Sequence, residues 1–180
     1  MSQKTAILSK ELGQPSSLVG QKILEFFFEN PNAVLTVRDL ASKLKLSRST
    51  VQYSLINLRK SNLISGGNKW IDNWQNRLIK SNYYLEKIAR SGLVDYLDQE
   101  LAASAIILFG SFRKGESEKS SDIDIFVECG REKKLNLLKF EKRLGHKIQL
   151  FTKPKITSLP THLMNNVING IKIKGYFTLK

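Results

Sequence analysis

The stretch GSFRKGESEKSSDIDIF, residues 110–126, decides how the second half of this 180-residue chain is read. It is entered from Ala105-Ile106-Ile107-Leu108-Phe109, a continuous apolar run closed by glycine, which is the pattern of a buried strand. After the polar residues 116–121 a second strand is predicted, Asp122 to Val127. Strand side chains alternate with a period of two, so Asp122 and Asp124 share one face and Ile123, Ile125 and Val127 the other. Two carboxylates about 7 Å apart on one face repel each other unless a cation lies between them. A hard cation such as magnesium suits a site made of carboxylate and phosphate oxygens. Gly110 allows close backbone approach, Ser111 offers a hydroxyl and an amide to a phosphate, and Arg113 and Lys114 add positive charge. A phosphate cradle beside a metal-binding carboxylate pair is what nucleotidyl transfer requires.

GSFRKG (110–115) followed by SDIDI (121–125) resembles the minimal nucleotidyltransferase family of the DNA polymerase β-like superfamily, over about residues 93–177. The family pattern is Gly-Ser, a polar spacer and Asp-x-Asp, and the combination is far more specific than either half. The resemblance implies NTP binding at Gly110, Ser111, Arg113 and Lys114, with Mg2+ (or Mn2+) held by Asp122 and Asp124 as the catalytic pair. It also implies transfer of NMP to an acceptor hydroxyl. Relatives modify antibiotics, RNA ends, or protein tyrosines and serines, the last as antitoxins, so a protein or RNA acceptor stays open.

One departure bears on activity. The family carries a third carboxylate on a later strand. Here Leu135, Leu138 and Leu144 mark a helix ended by Gly145, and the next strand is Lys147-Ile148-Gln149-Leu150-Phe151. Gln149 falls where the family has Asp or Glu. Glutamine coordinates weakly through its carbonyl but supplies neither a base nor a negative charge. General-base help and metal positioning are together worth roughly a hundredfold or more. The alternative reading is therefore a catalytically weak or inactive domain serving as nucleotide sensor or partner-binding module of a transcriptional regulator or antitoxin. Glu116, Glu118 and Glu128 are the candidate substitutes, Glu128 the poorest. His146 and His162 share no ligand spacing, and Cys129 reads as a packing residue.

In the first half, Val19, Ile23, Leu24, Phe27 and Phe28 recur at helical spacing and predict a helix over about 17–30, stopped by Asn30-Pro31-Asn32. Thr36 caps a second short helix, with Asp39 three residues on and Leu40, Ala41 and Leu44 inside. Ser47 caps a third, whose buried stripe is Val51, Leu55 and Leu58. Leu63-Ile64, Ser65-Gly66-Gly67-Asn68 and Lys69-Trp70-Ile71 read as a small hairpin. Residues 17–72 resemble the winged helix-turn-helix family of DNA-binding domains. The resemblance implies that the third helix enters the major groove. Arg48, Ser49, Gln52 and Tyr53 sit at its base-reading end, and Arg59, Lys60 and Lys69 are placed for phosphate. A docking or dimerisation module is the competing use of such a fold, and homodimerisation stays open.

Between the halves, residues 73–103 read as a helical connector, with Leu78, Ile79, Tyr83, Leu85, Ile88 and Ala89 on one helix and Leu93, Val94, Leu97 and Leu101 on the next. Residues 158–169 read as a last helix and 171–177 as a last strand. The fold class expected is α+β. A flexible N-terminus (1–16) precedes a winged helix-turn-helix (17–72), the connector (73–103) and a small mixed-sheet nucleotidyltransferase-like domain with flanking helices (104–180).

Charge agrees with two phosphate-handling halves. Residues 1–80 hold 12 Lys/Arg and 5 Asp/Glu, and residues 81–180 hold 17 and 11, so +7 and +6 make up the total of +13. Neither half is a charged tail, so the basic surface belongs to folded domains and favours a polyanion partner. The lack of a long apolar run and of a leader-like start points to a cytoplasmic protein without a membrane span. A single cysteine excludes an intrachain disulfide framework.

Overall fold

The computed structural model describes residues 18–131 and 133–177, and the expectation of a flexible 1–16 segment lies outside them. Contacts divide the chain into two compact units, Met1–Asn76 and Arg77–Lys180.

The first unit is three helices and a short wing. α1 (Leu18–Glu29) buries Ile23, Leu24, Phe26, Phe27 and Phe28. α2 (Val37–Leu44) opens with a complete capping box between Thr36 and Asp39. The Thr36 hydroxyl bond to the Asp39 carboxylate holds that carboxyl below its ordinary value. Lys45 closes α2 in the left-handed region (φ 54°), turning the chain sharply into the next cap. α3 (Arg48–Lys60) starts at Ser47, whose Oγ accepts from the Thr50 amide at 3.1 Å, and buries Val51, Ser54, Leu55 and Leu58. The wing is minimal: an antiparallel bridge pairs Ile64 with Trp70, and the Ser65 amide donates to the Lys69 carbonyl. Trp70 meets Phe28 edge-on at 5.1 Å, which pins the returning arm to α1.

α4 (Trp74–Ser91) and α5 (Leu93–Leu101) follow, separated by Gly92 at φ 82°. The second unit is built on a four-stranded mixed sheet in the order β3-β2-β1-β4. β1 (Ala105–Phe109) runs antiparallel to both β2 (Ile123–Glu128) and β4 (Ile171–Gly175), while β2 and β3 (Ile148–Lys153) are parallel. α6 (Gly110–Lys114) leaves the end of β1, α7 (Leu138–Leu144) crosses from β2 to β3, and α8 (Thr161–Ile168) lies between a 3-10 turn (Ile156–Ser158) and β4.

The parallel pair requires a crossover, and residues 129–147 supply it with α7. All five residues of β1 are buried, as its unbroken apolar run requires of a central strand. On one face Ile107, Phe109 and Phe126 form a core with Ile156, Leu159 and Val167. Asp122 and Asp124 alternate onto the same face as Phe126, at the end where β1 turns into α6. The architecture is thus α+β, with helices first and the sheet last. Among the described residues, no helix is long and apolar enough to cross a membrane.

Candidate functional site

The turn out of β1 is shaped around one carboxylate. Phe109 is the register partner of Asp124 across the β1–β2 pair, and Gly110 is the next residue. Gly110 takes φ 70°, and a Cβ there would lie 2.0 Å from Asp124 Oδ2. Both facts require glycine: the left-handed conformation and the contact with the carboxylate. Ser111 follows, half-buried, and Arg113 and Lys114 project from the last turn of α6 into solvent. The turn therefore brings Gly110 to Asp124 with Ser111 next in the chain, whereas the side chains of Arg113 and Lys114 are fixed by no described partner.

Asp122 is exposed, just before β2, and Asp124 is half-buried within it. Burial raises the Asp124 carboxyl above its ordinary value, and the neighbouring Asp122 charge pushes it further. A divalent cation between the two would offset both effects, so the pair fits such an ion electrostatically. The donor set is short, however: among the described residues, no group of three His, Cys, Asp or Glu is placed to hold a metal.

β3 supplies the third position. Asp124 is paired in register with Gln149, so the two side chains share a face on adjacent strands about 4.8 Å apart. Gln149 is exposed and open to a ligand. Two of the three candidate substitute carboxylates, Glu128 and Glu116, are engaged elsewhere. Glu128 is buried and accepts from the Ile156 amide at 2.7 Å and from Ser104 Oγ at 3.1 Å. Glu116 pairs with Arg77. Glu118 lies in the exposed turn closed by Ser121.

His146 is buried against Phe112 and Tyr84, with Nδ1 3.0 Å from the Ser121 carbonyl, and His162 is exposed. Cys129 is buried and bonds the Arg131 carbonyl.

In the first unit, Arg48, Ser49, Gln52, Tyr53 and Lys60 all lie exposed on α3, and Lys69 is exposed on the wing. Tyr53 is 69 % exposed, unusual for so large a ring on a packed helix. Arg59 differs. It is half-buried, and its guanidinium donates to Asn68 Oδ1, while Asn68 Nδ2 donates to the Leu35 carbonyl at 3.0 Å. Arg59 thus ties α3 to the wing through Asn68, which takes a left-handed backbone conformation (φ 56°).

Sequence reasoning missed the residues that hold the Gly-Ser loop. Ser81 Oγ donates to the Arg113 carbonyl at 2.8 Å, and Lys80, fully buried, donates to the Ser117 carbonyl. Gly115, at φ 71°, sits so close that a Cβ would meet the Arg77 carbonyl oxygen at 2.0 Å. These contacts belong to polar residues on a helix whose apolar residues were the only ones carrying a periodic signal.

Residues 92–175 match the family described as "Polymerase beta, Nucleotidyltransferase", and residues 21–65 match the family described as "Bacterial regulatory protein, arsR family". No curated protein and no solved structure matches the chain. The chain therefore joins a winged helix-turn-helix of the arsR type to a nucleotidyltransferase domain of the polymerase beta type.

Proposed function

We propose that this protein is a DNA-binding regulator whose C-terminal domain binds an NTP with a divalent cation. The observation that carries the nucleotide reading is the packing of Gly110 against Asp124, which places the Gly-Ser turn beside the Asp-x-Asp pair. Asp122 and Asp124 would hold Mg2+ or Mn2+, which nucleotidyltransferase domains of this type generally use. The ion supplies charge neutralisation for a triphosphate and aligns its phosphorus. Gly110 admits a phosphate close to the backbone, Ser111 offers its hydroxyl and amide, and Arg113 and Lys114 supply counter-charge. The reaction for which such a site is shaped is NMP transfer to an acceptor hydroxyl, in a protein or an RNA.

Gln149 favours a second reading, in which the domain senses nucleotide with little or no turnover. No negative charge flanks Asp124 on β3, and Glu128 is committed to the Ile156 amide. The exposed face of α3 with Arg48, Ser49, Gln52 and Tyr53 supports the DNA-binding half, with Lys60 and Lys69 as phosphate contacts.

The test is incubation with labelled NTP, Mg2+ and candidate acceptors, using wild type, Asp122→Ala and Gln149→Asp. Transfer by wild type that is lost in Asp122→Ala supports the enzyme. Silence in wild type with transfer in Gln149→Asp supports the sensor. No nucleotide binding by wild type would overturn both.

A further inference from the structure

We infer that α4 is part of the nucleotide site, with Ser81, Lys80 and Arg77 acting as positioning residues for the loop that follows Gly110-Ser111. The inference rests on the nucleotide reading of that loop. It also moves the functional boundary: the family match begins at residue 92, and these three residues precede it.

The loop cannot hold itself. α6 has five residues, less than two full turns, and the next segment up to Ser121 is irregular. Such a segment leaves backbone carbonyls that need donors from elsewhere. α4 supplies them from successive turns of one face. Ser81 Oγ reaches the Arg113 carbonyl at 2.8 Å, and the Lys80 ammonium reaches the Ser117 carbonyl. Arg77 Nη1 pairs with Glu116 Oε1 at 2.5 Å. Between them Gly115 lies flush against the Arg77 carbonyl, a contact that excludes any side chain. Tyr84, one turn on, meets the Phe112 ring at 4.8 Å.

What is held and what is left open differ. The backbone is fixed at residues 113, 115 and 117, and the Phe112 ring is wholly buried. Ser111 stays half-buried, and the Arg113 and Lys114 side chains stay in solvent. Simple packing would bury the loop's apolar groups, but it would not need a buried ammonium and a buried hydroxyl aimed at two loop carbonyls. Fixing a backbone while leaving its polar tips accessible is how a ligand-binding loop is pre-organised. A wandering loop would pay its ordering cost when the nucleotide bound.

The experiment titrates full-length protein with Mg·ATP, and in parallel Mg·GTP, Mg·CTP and Mg·UTP, by calorimetry, with melting temperatures measured alongside. Ser81→Ala should weaken binding about three- to tenfold, the value of one hydrogen bond. Ser81→Thr, which keeps the hydroxyl, should restore it. Arg77→Gln, at a half-exposed position that spares the core, should weaken binding in the same direction. Ser91→Ala is the control: its hydroxyl bonds the Ile88 carbonyl on the same helix at 2.6 Å, away from the loop. It should lower the melting temperature like Ser81→Ala yet bind as wild type. Equal affinity in wild type and both loop variants, or equal weakening in Ser91→Ala, would overturn the inference alone. Failure of wild type to bind any of the four nucleotides would overturn the nucleotide reading and the inference with it.

Discussion

Gln149 stands beside Asp124 as its register partner in the parallel pair of β2 and β3. The residue that lacks a charge is thus the lateral neighbour of one whose charge is disfavoured, since burial and Asp122 already raise the Asp124 carboxyl. A carboxylate at 149 would repel Asp124 in the metal-free protein and complete the donor set in the metal-bound one. Gln149→Asp is expected to lower stability without metal and to tighten Mn2+ binding about tenfold, the effect of one added ligand charge at short range. Mn2+ titration followed by electron paramagnetic resonance measures it. Unchanged affinity would remove residue 149 from the site.

Asp124 gives a pH dependence opposite to the usual one for a native carboxylate. Its folded value lies above the unfolded one, so the folded state holds the proton more tightly. The cost is absent below the ordinary Asp value of 3.8, grows as pH rises from there through the raised folded value, and is fully present at neutral pH. Asp124→Asn should therefore melt higher than wild type at pH 7 in chelator. The advantage should vanish near pH 3.5 and reverse when Mg2+ is added, because only wild type gains from the ion. Thermal melts across pH, with and without Mg2+, decide it.

Most of the fold was legible because its signals were local. The Thr36–Asp39 capping box, the Ser47 cap and the β1 run each lie within a few residues of the structure they specify. So does the Gly-Ser and Asp-x-Asp pattern, whose closeness in space follows from one hairpin-like antiparallel pair. α4 was legible as a helix but not as a scaffold. Apolar periodicity points to Leu78, yet Leu78 is 53 % exposed, and the buried face carries Asn76, Lys80, Ser81, Tyr84 and Ile88. Lys80 and Ser81 are buried there because loop carbonyls 37 and 32 residues away satisfy them, and no periodicity encodes a distant acceptor. The Arg59 tie to the wing was not legible for the same reason: its partner Asn68 and the Leu35 carbonyl meet only in three dimensions.

Glu128 tests whether a nearby acid can stand in for the missing one. Its carboxylate is held by the Ile156 amide and Ser104, at the end of β2 farthest from Asp122. Glu128→Gln should cost about 1–3 kcal/mol in denaturant melts, since a charge-assisted bond to a buried amide is lost or weakened. It should leave Mn2+ affinity within twofold of wild type. A large loss of metal affinity with little loss of stability would place Glu128 in the site instead.

The residues proposed to face DNA divide into three kinds that a single salt titration separates. Arg48 and Gln52, exposed near the start of α3, should each cost about 1–3 kcal/mol at particular base pairs when changed to Ala, with weaker loss on unrelated sequence. Lys60→Ala and Lys69→Ala should weaken all sequences alike and each reduce the slope of log K against log salt by about 0.9. Arg59→Ala should do neither directly. Its guanidinium donates to Asn68, which in turn holds the Leu35 carbonyl, so the loss should appear as a lower melting temperature and a loosened wing. Binding extrapolated to fully folded protein should keep its salt slope. A slope reduced by one unit in Arg59→Ala at unchanged stability would mean that the guanidinium leaves Asn68 for a phosphate, and that the wing is held by the Ile64–Trp70 bridge and Trp70 packing alone.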